Sequence, residues 1–289
     1  MTQTVDVVGV VGAGFMGSGI AHSAAAAGKR VLLHEPSKAP LDRSRAALEA
    51  TLARAVERGR VSEQDAAATT RRITYTTTLE DLAAAGAVIE AVVEDRDIKR
   101  GLFARLDETL PSAALLASKT SAIGIEDLAE ATSRPERVIG LHFFSPVPLT
   151  KLVEVVASPQ TAPETVAAAE MLARELGKEA IRVPDRAGFI VNALLIPYLA
   201  DAIRMLERGL ASAQDIDTGM TLGCGHPMGP LALCDFIGLD VVAAICATLH
   251  EELGEERYRA PELLVQLVAE GRLGRKTGRG FYDHAGARR

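Results

Sequence analysis

Val7-Val8-Gly9-Val10-Val11-Gly12-Ala13-Gly14-Phe15-Met16-Gly17 is the stretch on which the fold turns. A run rich in β-branched residues reads as a buried strand, and it ends abruptly in a G-x-G-x-x-G element followed by an Ala-rich, helix-favouring segment. Strand, glycine turn and helix in direct succession predict a dinucleotide-binding βαβ unit. Gly12 permits the tight turn, Gly14 lets a pyrophosphate approach the backbone, and Gly17 lets the helix pack against the strand, with Phe15 and Met16 between them. The helix N-terminus then presents unpaired N–H groups and a positive dipole end to the phosphates.

Outward from this unit, the next strand candidate, Arg30–His34, runs into Glu35, 18 residues beyond Gly17. A carboxylate there accepts hydrogen bonds from a ribose diol and repels a 2′-phosphate, so the expected cofactor is NAD rather than NADP. The pattern repeats, with strand candidates at Val5–Val11, Ile73–Thr76, Ala87–Val92, Ala114–Ser118, Val138–Phe143, Leu152–Val156 and Glu179–Val183. Between them lie helix candidates at Arg43–Arg58, Asp97–Thr109, Ile125–Ala131 and Pro163–Leu176. Continuous Val/Ile/Leu runs alternating with helices predict an α/β fold: a Rossmann-type, doubly wound, mostly parallel sheet buried on both faces. From Gly188 onward apolar residues recur at helical spacing instead, through Ile190, Leu194, Tyr198 and Ile203. The expected division is therefore a cofactor domain over 1–184 and a smaller all-helical substrate and dimerisation domain over 185–289.

Composition narrows the function. Of 289 residues, 48% are apolar and 24% charged, as in a folded globular chain and unlike a disordered one. A net charge of −6 with 4% aromatics and no Trp offers neither the basic footprint nor the stacking platform of a nucleic-acid binder. No apolar run is long enough to span a bilayer, and the first residues read as a strand rather than a signal peptide. Cys224, Cys234 and Cys246 have no metal-ligand spacing and read as free thiols of a cytoplasmic protein without a metal centre.

The candidate chemistry lies in four segments: Ser118-Lys119-Thr120-Ser121, Gly140-Leu141-His142-Phe143-Phe144-Ser145-Pro146, Lys151-Leu152-Val153-Glu154, and Gly188-Phe189-Ile190-Val191-Asn192. Together with Glu90-Ala91-Val92-Val93-Glu94-Asp95, Gly225-His226-Pro227-Met228-Gly229-Pro230-Leu231 and Gly274-Arg275-Lys276-Thr277-Gly278-Arg279-Gly280-Phe281-Tyr282, they run in order along nearly the whole chain. The sequence thereby resembles the L-3-hydroxyacyl-CoA dehydrogenases, most closely the small bacterial 3-hydroxybutyryl-CoA dehydrogenases.

The resemblance implies that His142 is the general base for the 3-hydroxyl and Glu154 its carboxylate partner, with Ser121 and Asn192 on the substrate. An imidazole, with an ordinary pKa of about 6.5, suits proton transfer near neutrality. The resemblance further implies that Glu94, Lys99, Ser121, Ser145 and Lys276 line the nicotinamide half of the cofactor site, and that Thr51 and Arg58 touch the CoA nucleotide. Arg54, one turn before Arg58, adds to a cationic patch suited to phosphates. Three residues depart from the family pattern: Lys119 and Ser145 stand where asparagine is usual, and Asp95 stands where Glu-Asn is usual. They bear on the acyl group and its carrier, so a thioester tethered to an acyl carrier protein is the alternative to CoA, and a non-catalytic NAD sensor is a second alternative. A homodimer is expected, formed through apolar residues of the helical domain, including Met205, Met220, Leu222, Leu231, Leu233, Phe236 and Ile237.

Overall fold

The computed structural model describes residues 5–121 and 123–284. The chain divides into two compact units, Met1–Asp185 and Arg186–Arg289.

The first unit is built on an eight-stranded sheet of order β3-β2-β1-β4-β5-β6-β7-β8. Its strands are β1 (Val7–Val11), β2 (Arg30–His34), β3 (Ile73–Thr76), β4 (Ala87–Glu90), β5 (Leu115–Ser118), β6 (Val138–Phe143), β7 (Leu152–Ala157) and β8 (Glu179–Pro184). Neighbours pair in parallel except β6 and β7, which are antiparallel. Every residue of β4, β5 and β6 is buried, which explains why these segments are apolar apart from Gly140, Glu90, Ser118 and His142 rather than alternating. β1 pairs with both β2 and β4, so the chain reverses direction of travel across the sheet at β1. In open α/β sheets a crevice for ligand opens at such a switch point, beyond the carboxyl ends of the strands.

Helices α1 (Phe15–Ala26), α2 (Lys38–Glu57), α3 (Glu63–Arg71), α4 (Arg96–Thr109), α5 (Ile125–Ala129) and α6 (Pro163–Glu175) belong to this unit. Several boundaries differ from the sequence reading, and two of the differences have a clear physical cause. α2 begins at Lys38 rather than Arg43, with Pro40 in its first turn, where a missing N–H costs no intrahelical bond. β4 stops at Glu90 rather than Val92, because the Glu90 carboxylate accepts the Val92 N–H at 2.7 Å and turns the chain.

The second unit packs α7 (Val191–Glu207), α8 (Ala213–Thr218), α9 (Pro230–Ile237), α10 (Leu239–Leu253) and α11 (Glu262–Ala269) around Leu199, Ile203, Leu231, Val242, Cys246 and Leu249. Pro197 lies inside α7 and cannot donate to the Ala193 carbonyl; the Tyr258 hydroxyl donates to that carbonyl instead, at 3.3 Å. Two buried aspartates organise the rest. Asp217 accepts the N–H groups of Leu231 and Ala232 at the start of α9, and Asp235 accepts those of Phe281 and Tyr282. Leu231, expected on a dimer surface, is fully buried in this core, whereas Met205, Leu222 and Phe236 are exposed. Among the described residues no single helix is long and apolar enough to cross a membrane; α9 and α10 pass only as a pair bent by 96°.

Candidate active site

The glycine turn is held as its sequence demands. Gly12 has φ +104°, and a Cβ there would stand 2.6 Å from the Ala91 carbonyl oxygen. A Cβ on Gly17 would stand 1.8 Å from the Gly12 oxygen, so only glycine lets α1 lie this close to its own strand. Gly14 is the opposite case: no atom lies within 4 Å of where its Cβ would be, leaving the backbone open to a ligand. Glu35 reaches back to the turn, its carboxylate accepting the Ala13 N–H at 3.1 Å. Open backbone, a helix N-terminus and a carboxylate at the end of β2 fit the pyrophosphate and adenosine ribose of NAD. Phe15 projects from the turn, 73% exposed, whereas Met16 packs partly buried against the core.

His142 and Glu154 are direct register partners across β6 and β7. The His142 Nδ1 lies 2.7 Å from Glu154 Oε2, with Glu154 fully buried and His142 4% exposed. On the other side of the ring, Nε2 lies 3.2 Å from the Ser121 Oγ, and the Phe144 ring packs edge-on at 4.6 Å. With a carboxylate on Nδ1, the proton of a neutral imidazole is held there and Nε2 is left as the acceptor.

Ser121 is held from below. Its N–H donates to Glu94 Oε1 at 2.8 Å, and the Thr120 hydroxyl donates to the same oxygen. Burial opposes the charge on Glu94, but Lys99, the Thr120 hydroxyl, Lys119 and the Ser121 N–H together hold its carboxyl below the ordinary range. Lys99 is fully buried, its ammonium 2.6 Å from Glu90 and 3.4 Å from Glu94, so it is spent on two carboxylates rather than exposed as a surface cation. Lys119 is only partly buried at the end of β5; burial and Lys99 push its amine down, while Glu94 and Glu90 pull the other way. Glu90, Ser118 and Thr120 were not singled out as individual residues in the sequence. The available signal was a carboxylate closing an otherwise apolar strand, which demands a buried partner.

A cavity of about 1070 Å³ opens from the glycine turn, lined by Gly14, Phe15 and His22 on one side and by Pro146 and Val147 on another. Its far wall is α2, bringing Thr51, Arg54 and Arg58 to the same space. Arg54 and Arg58 are exposed there, as phosphate-binding cations would be. Ser145 is exposed at the end of the β6 segment. In the second unit Asn192 stands in the first turn of α7, after Gly188 and Phe189, both in the left-handed region at φ +77° and +50°. Lys276 forms an ion pair with Asp240 at 2.5 Å.

Comparison with known proteins gives the family. Residues 7–186 match the family model for the 3-hydroxyacyl-CoA dehydrogenase NAD binding domain, and residues 188–284 match that for its C-terminal domain. The chain is 46% identical over 286 residues to a 3-hydroxybutyryl-CoA dehydrogenase of Mycobacterium tuberculosis, covering 98% of this chain and 100% of the relative. It is 45% identical to the 3-hydroxybutyryl-CoA dehydrogenase of Bradyrhizobium diazoefficiens, over 100% of this chain and 98% of that one. Among solved structures, FadB2 of M. tuberculosis superposes with a TM-score of 0.95 at 47% identity, covering 97% of this chain and 99% of that one. The (S)-3-hydroxybutyryl-CoA dehydrogenase PaaH1 of Ralstonia eutropha gives 0.92 at 43%, with the same coverage. The chain belongs to the 3-hydroxyacyl-CoA dehydrogenase family of NAD-dependent oxidoreductases.

Proposed function

We propose that this enzyme interconverts a short-chain (S)-3-hydroxyacyl-CoA, such as 3-hydroxybutyryl-CoA, and the corresponding 3-ketoacyl-CoA. The observation that carries the reading is the line Ser121 Oγ, His142 Nε2, His142 Nδ1, Glu154 Oε2, with gaps of 3.2 and 2.7 Å on the two sides of one imidazole. His142 Nε2 takes the proton of the 3-hydroxyl as its C–H bond electrons depart as hydride, and the C3–O bond becomes a carbonyl. Bound NAD+ supplies the hydride acceptor. Ser121 marks the place of the reacting oxygen, and Glu154 holds the ring and offsets the charge of the imidazolium that forms. In reduction the same nitrogen returns the proton.

Arg58, Arg54 and Thr51 are assigned to the CoA nucleotide, and the cavity that they share with Pro146 and Val147 to the thioester arm. Glu94, Lys99, Ser121, Ser145 and Lys276 are assigned to the nicotinamide half of the cofactor, and the Asn192 amide to the substrate. The exposed Met205, Leu222 and Phe236 are assigned to a homodimer contact, and the chain to the cytoplasm. Loss of NADH absorbance on adding acetoacetyl-CoA, run across acyl chain lengths, tests the reaction. Turnover confined to carrier-protein thioesters replaces CoA with that carrier; NADH binding without any turnover makes the protein a sensor.

A further inference from the structure

We propose that Lys178 is a positioning residue for the thioester arm: its ammonium grips two carbonyls of the segment 146–150 and, with Gly19 on the opposite side, sets that wall of the cavity. The inference rests on the assignment of this cavity to the arm, made above.

The segment has little of its own to hold it. It lies in neither helix nor strand, and Pro146 and Pro148 bring no N–H. Inside it, the Pro146 carbonyl accepts the Leu149 and Thr150 N–H groups, both at 3.0 Å. From outside, the Lys178 ammonium donates to the carbonyls of Val147 and Thr150, to the latter at 2.8 Å. The next residue, Glu179, donates its N–H to the Lys151 carbonyl at 2.6 Å, so the start of β8 fastens the end of the segment as well. On the other side the Val147 side chain, 2% exposed, lies against α1. A Cβ on Gly19 would stand 3.0 Å from the Val147 Cβ and 3.6 Å from the Pro148 Cδ, so glycine lets the segment come this close and any larger residue would press on it.

These contacts fix a width. Gly19 and His22 of α1, Val147 and Leu149 of the segment, and Lys178 itself line one cavity. Lys178 is 7% exposed and forms no ion pair among the described residues, and burial pushes its amine down. The neighbouring His22 supplies no counter-charge, since burial and Lys178 both push its imidazole toward the neutral form. An ammonium buried against carbonyls alone is a poor source of stability beside an apolar side chain of similar length. What it adds is a hold on two carbonyls of an otherwise irregular segment, and hence a wall at a set distance from α1.

Two thioesters separate a wall of the arm's channel from a merely structural lysine. Acetoacetyl-CoA carries the whole arm, whereas acetoacetyl-N-acetylcysteamine presents the same acyl group with only the first amide of the arm and no nucleotide. In Lys178→Met, kcat/KM for acetoacetyl-CoA is expected to fall about tenfold or more, while that for the short thioester and the Kd of NADH each move by less than about threefold. The Kd of CoA itself, measured by calorimetry without turnover, is expected to rise by a similar factor. Gly19→Ala, which presses on the same segment from α1 and removes no charge, is expected to lower the ratio of the two kcat/KM values by about threefold or more. A loss that falls equally on both thioesters, or on NADH, in Lys178→Met overturns the proposal, as do unchanged values in a folded variant. Should Lys178→Met not fold, an unchanged ratio in Gly19→Ala overturns it. A wild-type enzyme that binds CoA without turning over acetoacetyl-CoA refutes the proposed reaction alone, because the Kd of CoA still decides the role of Lys178; one that does not bind CoA overturns both.

Discussion

His142 and Glu154 face each other across the antiparallel β6–β7 pair, and the backbone register that aligns them also brings Nδ1 to 2.7 Å from Oε2. Their orientation is therefore set by the ladder of the sheet itself. Removing the imidazole in His142→Ala is expected to lower kcat by about 10²- to 10⁴-fold with NADH affinity nearly unchanged. Glu154→Gln, which keeps the shape and loses the charge, is expected to lower kcat with little effect on the KM of the thioester. Steady-state kinetics beside fluorescence titration of NADH check both.

Arg54 and Arg58 stand on the wall of the 1070 Å³ cavity. The pair Arg54→Ala and Arg58→Ala is expected to raise the KM for acetoacetyl-CoA by about tenfold or more while leaving the KM for NADH and kcat close to wild type. Added salt should weaken thioester binding in the wild type and do so less in the double variant.

The choice between NAD and NADP is assigned to Glu35. Glu35→Ser is expected to reduce kcat/KM for NAD+ and to narrow its advantage over NADP+, because a carboxylate at the end of β2 repels a 2′-phosphate. Wild-type preference for NADP+ would refute the assignment.

Acid unfolding has a local contributor in Asp107. Burial works against its charge, but the Ser133 N–H at 2.7 Å and the Arg134 guanidinium at 2.6 Å hold its carboxyl below the ordinary range. A carboxyl that binds its proton less readily when folded contributes stability that is present above its ordinary pKa of 3.8 and is lost as pH falls through the lower folded value. Asp107→Asn is expected to lower Tm at neutral pH, with the gap from wild type closing progressively below pH 3.8. Thermal melts across pH measure it.

The three cysteines should separate by rate. Cys224 is exposed, whereas burial raises the Cys246 thiol to about 11 and raises Cys234 further. One thiol per chain is expected to react quickly with a disulfide reagent, and the other two only on unfolding. Cys224→Ser should abolish the fast phase.

The sheet was legible because its strands are short β-rich runs, and Gly12, Gly14 and Gly17 each report a distinct spatial demand that the structure displays. The start of α2 was not, because Pro40 reads as a helix breaker until it is known to fall in a first turn. The His142–Glu154 contact could be named only through resemblance, since the eleven residues between them say nothing of register. Lys99 was the hardest to place. Beside Arg96, Asp97 and Arg100 it reads as one more exposed charge on a helix, and only the fold turns it inward to the buried Glu90 and to Glu94.

Residues 144–151, which connect β6 to β7, have a double duty. Pro146, Val147, Pro148 and Leu149 line the cavity, while Lys178 pins the segment through the carbonyls of Val147 and Thr150. The loop joins the two strands that bear His142 and Glu154 without setting their alignment, which the strand ladder fixes. A one-residue slip of β7 would send Glu154 to the opposite sheet face, whereas replacement or lengthening within the loop would leave it opposite His142. The lining of the cavity can thus drift over generations while the His142–Glu154 pair stays aligned, and redesign of that lining is best begun between Ser145 and Thr150.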